Sequence, residues 1–186
     1  MSKQHEIVVV AGLSGVGKSH LINELKKSDS QFVHFSAGSL IKKGRNLSDR
    51  DELRLLGENE ILQNQYLLVD QLKEELESLS DRNIVLFDAH MVIDSDESIL
   101  EIPFEIFERL NPSRLILLCC EPEMILSRRE KDGSRLRPIR SVKELNSQQE
   151  LSRKLAEEYA ARLSIPFSSL TSDGIEIFRK EIFSRS

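Results

Sequence analysis

Short apolar runs alternate along the chain with longer segments in which apolar residues recur every three or four positions. The apolar runs predict five β-strands, at Glu6–Ala11, Gln31–Phe35, Asn83–Asp88, Arg114–Cys119 and Ile165–Leu170. The longer segments predict helices at Gly17–Lys27, Leu40–Lys43, Asp49–Ser80, Pro122–Lys131, Ser141–Leu163 and Asp173–Ser184, with Gly57 dividing the third. The connection Ala89–Pro112 is expected to hold short helical pieces near Glu105–Leu110. This alternation is typical of an α/β protein with a parallel sheet, which binds ligands at the carboxyl ends of its strands.

The first strand runs into a glycine loop that fits the phosphate-loop pattern G-x-x-x-x-G-K-[ST] from Gly12 to Ser19. Glycines let several backbone N–H groups point at one anion, and the following helix directs its positive end at the same place. An ordinary glycine-rich turn is the alternative, but the position between a strand and a helix favours a site for ATP and Mg²⁺. The predicted nucleotide-binding residues are Gly12, Gly15, Val16, Gly17, Lys18, Ser19 and His20.

Asp88 ends the third apolar run, where phosphate-loop proteins commonly hold Mg²⁺ with a carboxylate. We therefore predict a metal role for Asp88 and for the hydroxyl of Ser19, although Asp88 is also suited to a helix cap or a loop. His90 follows two positions later and is a candidate for contact with a second substrate. The alternative for a lone histidine is a structural role.

A basic cluster follows the fourth strand in a chain whose net charge is −5. Its members are Arg128, Arg129, Lys131, Arg135, Arg137 and Arg140. Guanidinium groups that close on a transferring phosphoryl group stabilise its charge, so this cluster is predicted to clamp phosphates. A solvated basic face or a nucleic-acid patch is the alternative. The predicted catalytic residues are Lys18, Arg128, Arg135 and Arg137.

A phosphate acceptor needs a third site, and the segment after the second strand is the candidate. Gly38 permits close approach of a ligand, and the hydroxyls of Ser36 and Ser39 are available beside it. Lys42 and Arg54 are candidates for holding a monophosphate, with surface charge as the alternative for each.

The length of 186 residues favours one domain, and the ordinary charge balance gives no reason to expect a nucleic-acid partner. Cys119 and Cys120 are neighbours in a strand, so we expect free, buried thiols and a reducing compartment. The polar first residues carry no secretory signal, and no apolar run is long enough to cross a membrane. The composition thus favours a cytoplasmic protein that acts on small molecules, whose oligomeric state stays open.

Several motifs together resemble the nucleoside monophosphate kinases, and the archaeal-type adenylate kinases most of all. The matching segments are Gly12–Ser19, Ser36–Lys42, Asp49–Arg54, Asp88–His90 and Glu123–Arg129, followed by Arg135 and Arg137. The resemblance implies a three-layer α/β/α P-loop NTPase fold with a five-stranded parallel sheet. It also implies a core of residues 1–36, 81–128 and 141–186, a monophosphate-binding helical arm at about 37–80 and a short lid at about 129–140.

The same resemblance implies transfer of the γ-phosphoryl group of Mg·ATP to a nucleoside monophosphate, with AMP favoured. Lys42, Arg54 and His90 would then lie beside the acceptor, and Arg153 on the long helix would face the active site. The alternatives from other classes are a P-loop kinase for a nucleoside or sugar, and a regulatory ATPase or ATP-binding protein acting on a protein or RNA. A small GTPase is not expected, since the chain has no Asn-Lys-x-Asp segment.

Overall fold

The computed structural model describes residues 5–29, 31–45, 57–79, 83–95, 98–133, 137–172 and 174–183. In chain order its elements are β1 (Glu6–Ala11), α1 (Lys18–Ser28), β2 (Phe32–Ser36), α2 (Ala37–Arg45), α3 (Glu58–Ser78), β3 (Ile84–Asp88), β4 (Val92–Asp94), β5 (Ile99–Glu101), α4 (Phe104–Leu110), β6 (Arg114–Cys119), α5 (Pro122–Lys131), α6 (Val142–Leu163), β7 (Phe167–Thr171) and α7 (Ile175–Phe183).

Five of the strands form one parallel sheet in the order β2-β3-β1-β6-β7. The central strand β1 is buried from Ile7 to Ala11, which its β-branched, apolar sequence favours. Its register sets Val10 opposite Asp88. The end of β3 therefore lies beside the start of the glycine loop, and both are at the carboxyl edge of the sheet.

Helices cover both faces of this sheet. Alternate residues of β1 point to opposite faces, and the residues on each face pack against different helices. Val8 and Val10 belong to a cluster with Leu21, Ile22 and Leu25 of α1 and with Phe178 and Ile182 of α7. Ile7, Val9 and Ala11 belong to the larger cluster, with Leu68 of α3, Phe107 of α4 and Tyr159 of α6. The predicted three-layer α/β/α fold with a five-stranded parallel sheet is confirmed.

Most predicted elements are present with ends moved by one to three residues, and the main differences lie in the connections. Helix α2 begins at Ala37 rather than Leu40. Gly57 caps the start of α3, in keeping with a division of the predicted helix at that position, and the part before Gly57 lies outside the described residues. The predicted connection Ala89–Pro112 contains a small antiparallel hairpin, β4–β5, which the sequence analysis missed. Each of its strands has three residues, too short for alternation to be recognised.

We predict that Gly12→Ala destabilises the protein by about 2 kcal/mol or more. Gly12 has a φ of +152°, and a Cβ there would lie 2.7 Å from the backbone carbonyl oxygen of Leu118 in the neighbouring strand. The free energy of unfolding from urea denaturation measures the effect. Gly133→Ala is the control, because a Cβ at Gly133 meets nothing within 4 Å and its effect should stay within about 0.5 kcal/mol. Equal stability of the two variants would contradict the prediction.

Candidate active site

The loop between β1 and α1 turns its backbone carbonyls toward basic side chains. Lys18 Nζ donates to the carbonyl oxygen of Gly12 at 2.6 Å and to that of Leu13 at 3.3 Å. Arg129 Nε donates to the carbonyl of Ser14 at 2.9 Å, and Arg128 Nη1 donates to those of Gly15 and Val16 at 3.3 and 2.6 Å. Each carbonyl from residue 12 to residue 16 thus accepts a hydrogen bond from a cationic side chain. Gly15 and Gly17 have φ values of +93° and +113°, as a curled loop requires.

Lys18 is buried, with a relative exposure of 6%, at the amino end of α1. Its ammonium group lies 3.7 Å from Oδ1 of Asp88, which β3 brings to the same edge of the sheet. A buried ammonium group needs an opposite charge and hydrogen-bond acceptors, and the loop carbonyls and Asp88 supply both. Lys18 is therefore held at the centre of the site before any ligand binds.

His90 contacts the glycine loop directly. Its Nδ1 lies 2.8 Å from the carbonyl oxygen of Gly12, and since a carbonyl only accepts, Nδ1 carries the hydrogen. The ring therefore has a defined tautomer and a structural contact, and it also lines the cavity in front of the loop. The structural and substrate-contact hypotheses for His90 are thus compatible with one another.

The basic cluster after β6 is held against the glycine loop by α5 and the segment that follows it. In addition to the contacts above, Arg137 Nε donates to the hydroxyl of Ser14 at 3.0 Å, and its Nη2 pairs with Asp132. Arg128 and Arg137 both line the cavity. Arg135 lies outside the described residues, so its predicted catalytic role stays a prediction.

Asp94, at the end of β4, joins two members of the cluster and was not recognised from the sequence. Its Oδ2 accepts from Arg129 Nη1 at 3.2 Å and its Oδ1 from Arg140 Nε at 3.0 Å. Arg140 also donates to the backbone carbonyl of Ser95 at 2.8 Å. Burial lowers the pKa of Arg129, and the hydrogen bond to Asp94 opposes that shift. The carboxylate of Asp94 therefore balances two closely spaced guanidinium groups.

One cavity of about 810 Å³ collects most of the predicted site. Its lining includes Gly15, Gly17, Lys18, Ser19, His20, Ser36, Gly38, Asp88, His90, Arg128 and Arg137. Of the predicted residues that the structure describes, six do not line this cavity: Gly12, Val16, Lys42, Lys131, Arg140 and Arg153. Gly12 and Val16 are nevertheless part of the loop, whereas Nη2 of Arg153 lies 3.7 Å from the sulfur of Cys119. Arg54 lies outside the described residues.

The two cysteines lie at the end of β6, beside the cavity rather than in it. Both thiols are free, as predicted, but they are half-buried rather than buried, and partial burial raises the pKa of Cys120. The backbone N–H and carbonyl of Cys120 are bound by the side chain of Gln149 on α6, at 3.1 and 2.9 Å. These contacts indicate a structural role for this segment.

Comparison with known sequences identifies the family. A family model described as an AAA domain matches residues 11–146. An adenylate kinase from Thermococcus kodakarensis is 30% identical over 160 residues, which cover 83% of this chain and 80% of the relative. The adenylate kinases of Pyrococcus abyssi and Thermoplasma acidophilum are each 28% identical, over 83% and 82% of this chain and 80% and 81% of their own lengths. The chain belongs to the AAA-domain and adenylate kinase families.

Solved structures agree on the fold of this adenylate kinase family member. A shikimate kinase from Acinetobacter baumannii in complex with shikimate has a TM-score of 0.61, covering 97% of this chain and 94% of its own, at 13% identity. A tunicamycin resistance protein from Deinococcus radiodurans has a TM-score of 0.51, covering 87% and 97%, at 16% identity. The protein is a nucleotide-binding phosphotransferase with a P-loop kinase fold. Within the described ranges, no helix combines the length and the apolar character that crossing a bilayer requires.

We predict that Asp94→Asn lowers the free energy of unfolding by about 3 kcal/mol. The change removes the carboxylate charge between Arg129 and Arg140, whose side chains are only 7% and 19% exposed, and leaves two guanidinium groups uncompensated. Urea denaturation measures the loss. Glu158→Gln is the matched control, because its pair with Arg162 is about half exposed and contributes about 0–1 kcal/mol. A loss no larger than that of the control would show that Asp94 does not balance the cluster.

Proposed function

We propose that the protein is an ATP-dependent nucleoside monophosphate kinase whose favoured acceptor is AMP. The observation that supports this most strongly is that the phosphate loop and a largely apolar compartment between α2, α3 and α4 belong to one cavity. A kinase that transfers a phosphoryl group directly needs donor and acceptor in one enclosure. Relatives named adenylate kinase align over about four fifths of their length, which supports the choice of AMP.

The donor half would bind the polyphosphate of ATP. Lys18 supplies a positive charge at the centre of the glycine loop, and a loop of this kind offers backbone N–H groups to an anion. Arg128 and Arg137 line the same cavity and would neutralise charge on the transferring phosphoryl group. The predicted Arg135 would add to this clamp.

Mg²⁺ suits the residues at the end of β3 and the start of α1. Mg²⁺ prefers oxygen ligands, and the carboxylate of Asp88 and the hydroxyl of Ser19 line the cavity beside Lys18. We assign these two residues to hold the ion, directly or through water. When bound, the ion neutralises charge on the phosphates.

The acceptor half would begin at Ser36 and Gly38, which line the cavity at the end of β2, and at His90. Lys42, Arg54 and Arg153 stay predictions for this half, as do the helical arm, the lid and the cytoplasmic location. In the proposed reaction an oxygen of the acceptor's α-phosphate attacks the γ-phosphorus of ATP. The bond between that phosphorus and the β,γ-bridging oxygen breaks, and two nucleoside diphosphates leave. No covalent enzyme intermediate is required.

We predict that ADP formation requires ATP and AMP together, and that Lys18→Met lowers kcat by at least about 100-fold. The apolar replacement keeps most of the side chain's length but removes the charge at the centre of the phosphate loop. A coupled assay with ATP and each common nucleoside monophosphate measures both effects. Lys154→Met, on α6 and outside the cavity lining, is the control and should retain activity.

Two results would contradict the proposal. Phosphoryl transfer to a nucleoside or sugar, with none to any nucleoside monophosphate, would make the protein a kinase of another metabolite. Steady ATP hydrolysis that no monophosphate changes would instead favour a regulatory ATPase.

A further inference from the structure

The cavity continues from the glycine loop into a compartment with apolar walls. Ile61 and Leu68 of α3, Phe87 of β3, and Phe107 and Leu110 of α4 line it, and all are buried. A compartment of this kind accommodates a flat heterocycle, whose orientation a few polar groups then fix.

Two carboxamides from α3 line this compartment, Asn64 and Gln65, with relative exposures of 3% and 6%. Gln65 Nε2 donates to the backbone carbonyl of Ile61 at 3.4 Å. The carbonyl oxygen Oδ1 of Asn64 has no hydrogen-bond partner in the part of the chain that the structure describes. A buried polar atom without a partner destabilises a fold, so its presence requires an explanation.

The position of Asn64 distinguishes it from the other buried polar atoms without a partner. Gln148 Oε1 and Ser152 Oγ, both on α6, are also unpaired among the described residues, but neither residue lines the cavity. His34 also lines it, but this residue is only half-buried, and because its Nδ1 accepts from Lys26 at 3.1 Å, its unpaired Nε2 is a donor rather than an acceptor. Asn64 combines deep burial, an unpaired acceptor and a place in the apolar compartment.

We propose that Asn64 recognises the base of the acceptor nucleotide and selects one with an exocyclic amino group. A carboxamide presents an acceptor beside a donor, which complements the amino group N6 and the ring nitrogen N7 of adenine. The amino group supplies the donor that Oδ1 lacks, and the second amino hydrogen is available to the carbonyl oxygen of Gln65. This inference rests on the proposed function and names a specificity residue within it.

The unpaired atom also explains why a 6-oxo purine would bind less well. Hypoxanthine presents a carbonyl oxygen where adenine presents the amino group, so two acceptors would face each other. Rotating the carboxamide by 180° would pair its N–H with that oxygen but would set Oδ1 against N7, which also only accepts. Neither orientation pairs both atoms of the carboxamide, and the mismatch disfavours the wrong base.

The experiment compares kcat/KM for AMP with that for IMP, which has a carbonyl at the same ring position. We expect the unaltered protein to prefer AMP by about 10- to 100-fold. Asn64→Leu keeps a similar volume without polar atoms, and should reduce this preference to within about threefold of unity, with the KM for ATP unchanged within about twofold. Gln148→Leu removes an equally buried, unpaired carboxamide outside the cavity, and should leave the preference intact.

A change in the nucleotide tests the same contact without altering the protein. Purine riboside 5′-monophosphate lacks the amino group, so the unaltered protein should use it about 10- to 100-fold less well than AMP. Asn64→Leu should use the two nucleotides about equally. If the variant does not fold, the comparison of AMP with this analogue in the unaltered protein still tests whether the amino group of the base is recognised.

The outcomes separate the inference from the function on which it rests. Transfer to AMP, IMP and the analogue with equal efficiency by the unaltered protein would overturn the inference and leave the kinase proposal standing. An unchanged preference in folded Asn64→Leu would do the same. Absence of transfer to every nucleoside monophosphate would overturn both.

Discussion

The hydrogen bonds from cationic side chains to the backbone carbonyls of residues 12–16 are the interaction on which the site depends. A trans peptide unit holds its N–H opposite its C=O, so a carbonyl that is held in place also fixes the direction of the N–H in the same unit. Lys18, Arg128 and Arg129 bind those carbonyls, and glycines with positive φ allow the curl. The loop is thus shaped by tertiary contacts as well as by its own sequence.

These contacts also connect the glycine loop near the amino terminus to helix α5, which is far from it along the chain. Arg128 and Arg129 come from α5, more than 110 residues beyond the loop. Asp94 pairs with Arg129 and Asp132 pairs with Arg137, and these ion pairs hold the two guanidinium groups in place beside the loop. An incoming polyphosphate therefore meets a positive site whose side chains are already positioned, which reduces the reorganisation that binding requires.

Sequence patterns predicted the structural features that are determined by residues close together along the chain. The buried strands appear as apolar runs such as Val8–Val10, and the loop appears as a spaced motif, because both are set by adjacent residues. Asp94 was not predicted, because its partners Arg129 and Arg140 lie 35 and 46 positions away and its own surroundings read as a polar loop. Asn64 was missed for another reason: on the buried face of a helix, a polar residue resembles an interruption of the apolar period.

The two halves of the cavity differ in how their polar groups are satisfied, and this difference has a physical meaning. The carbonyls of residues 12–16 and the ammonium group of Lys18 have partners within the protein, so the donor half is preorganised. Asn64 is buried without a partner for its oxygen within the described residues, so the acceptor half retains an unsatisfied group. A group that only a ligand satisfies contributes more to choosing between ligands than to stability. We therefore assign phosphate binding to the donor half, whose loop carbonyls are hydrogen-bonded. Discrimination between bases belongs to the acceptor half, where Oδ1 of Asn64 has no partner among the described residues.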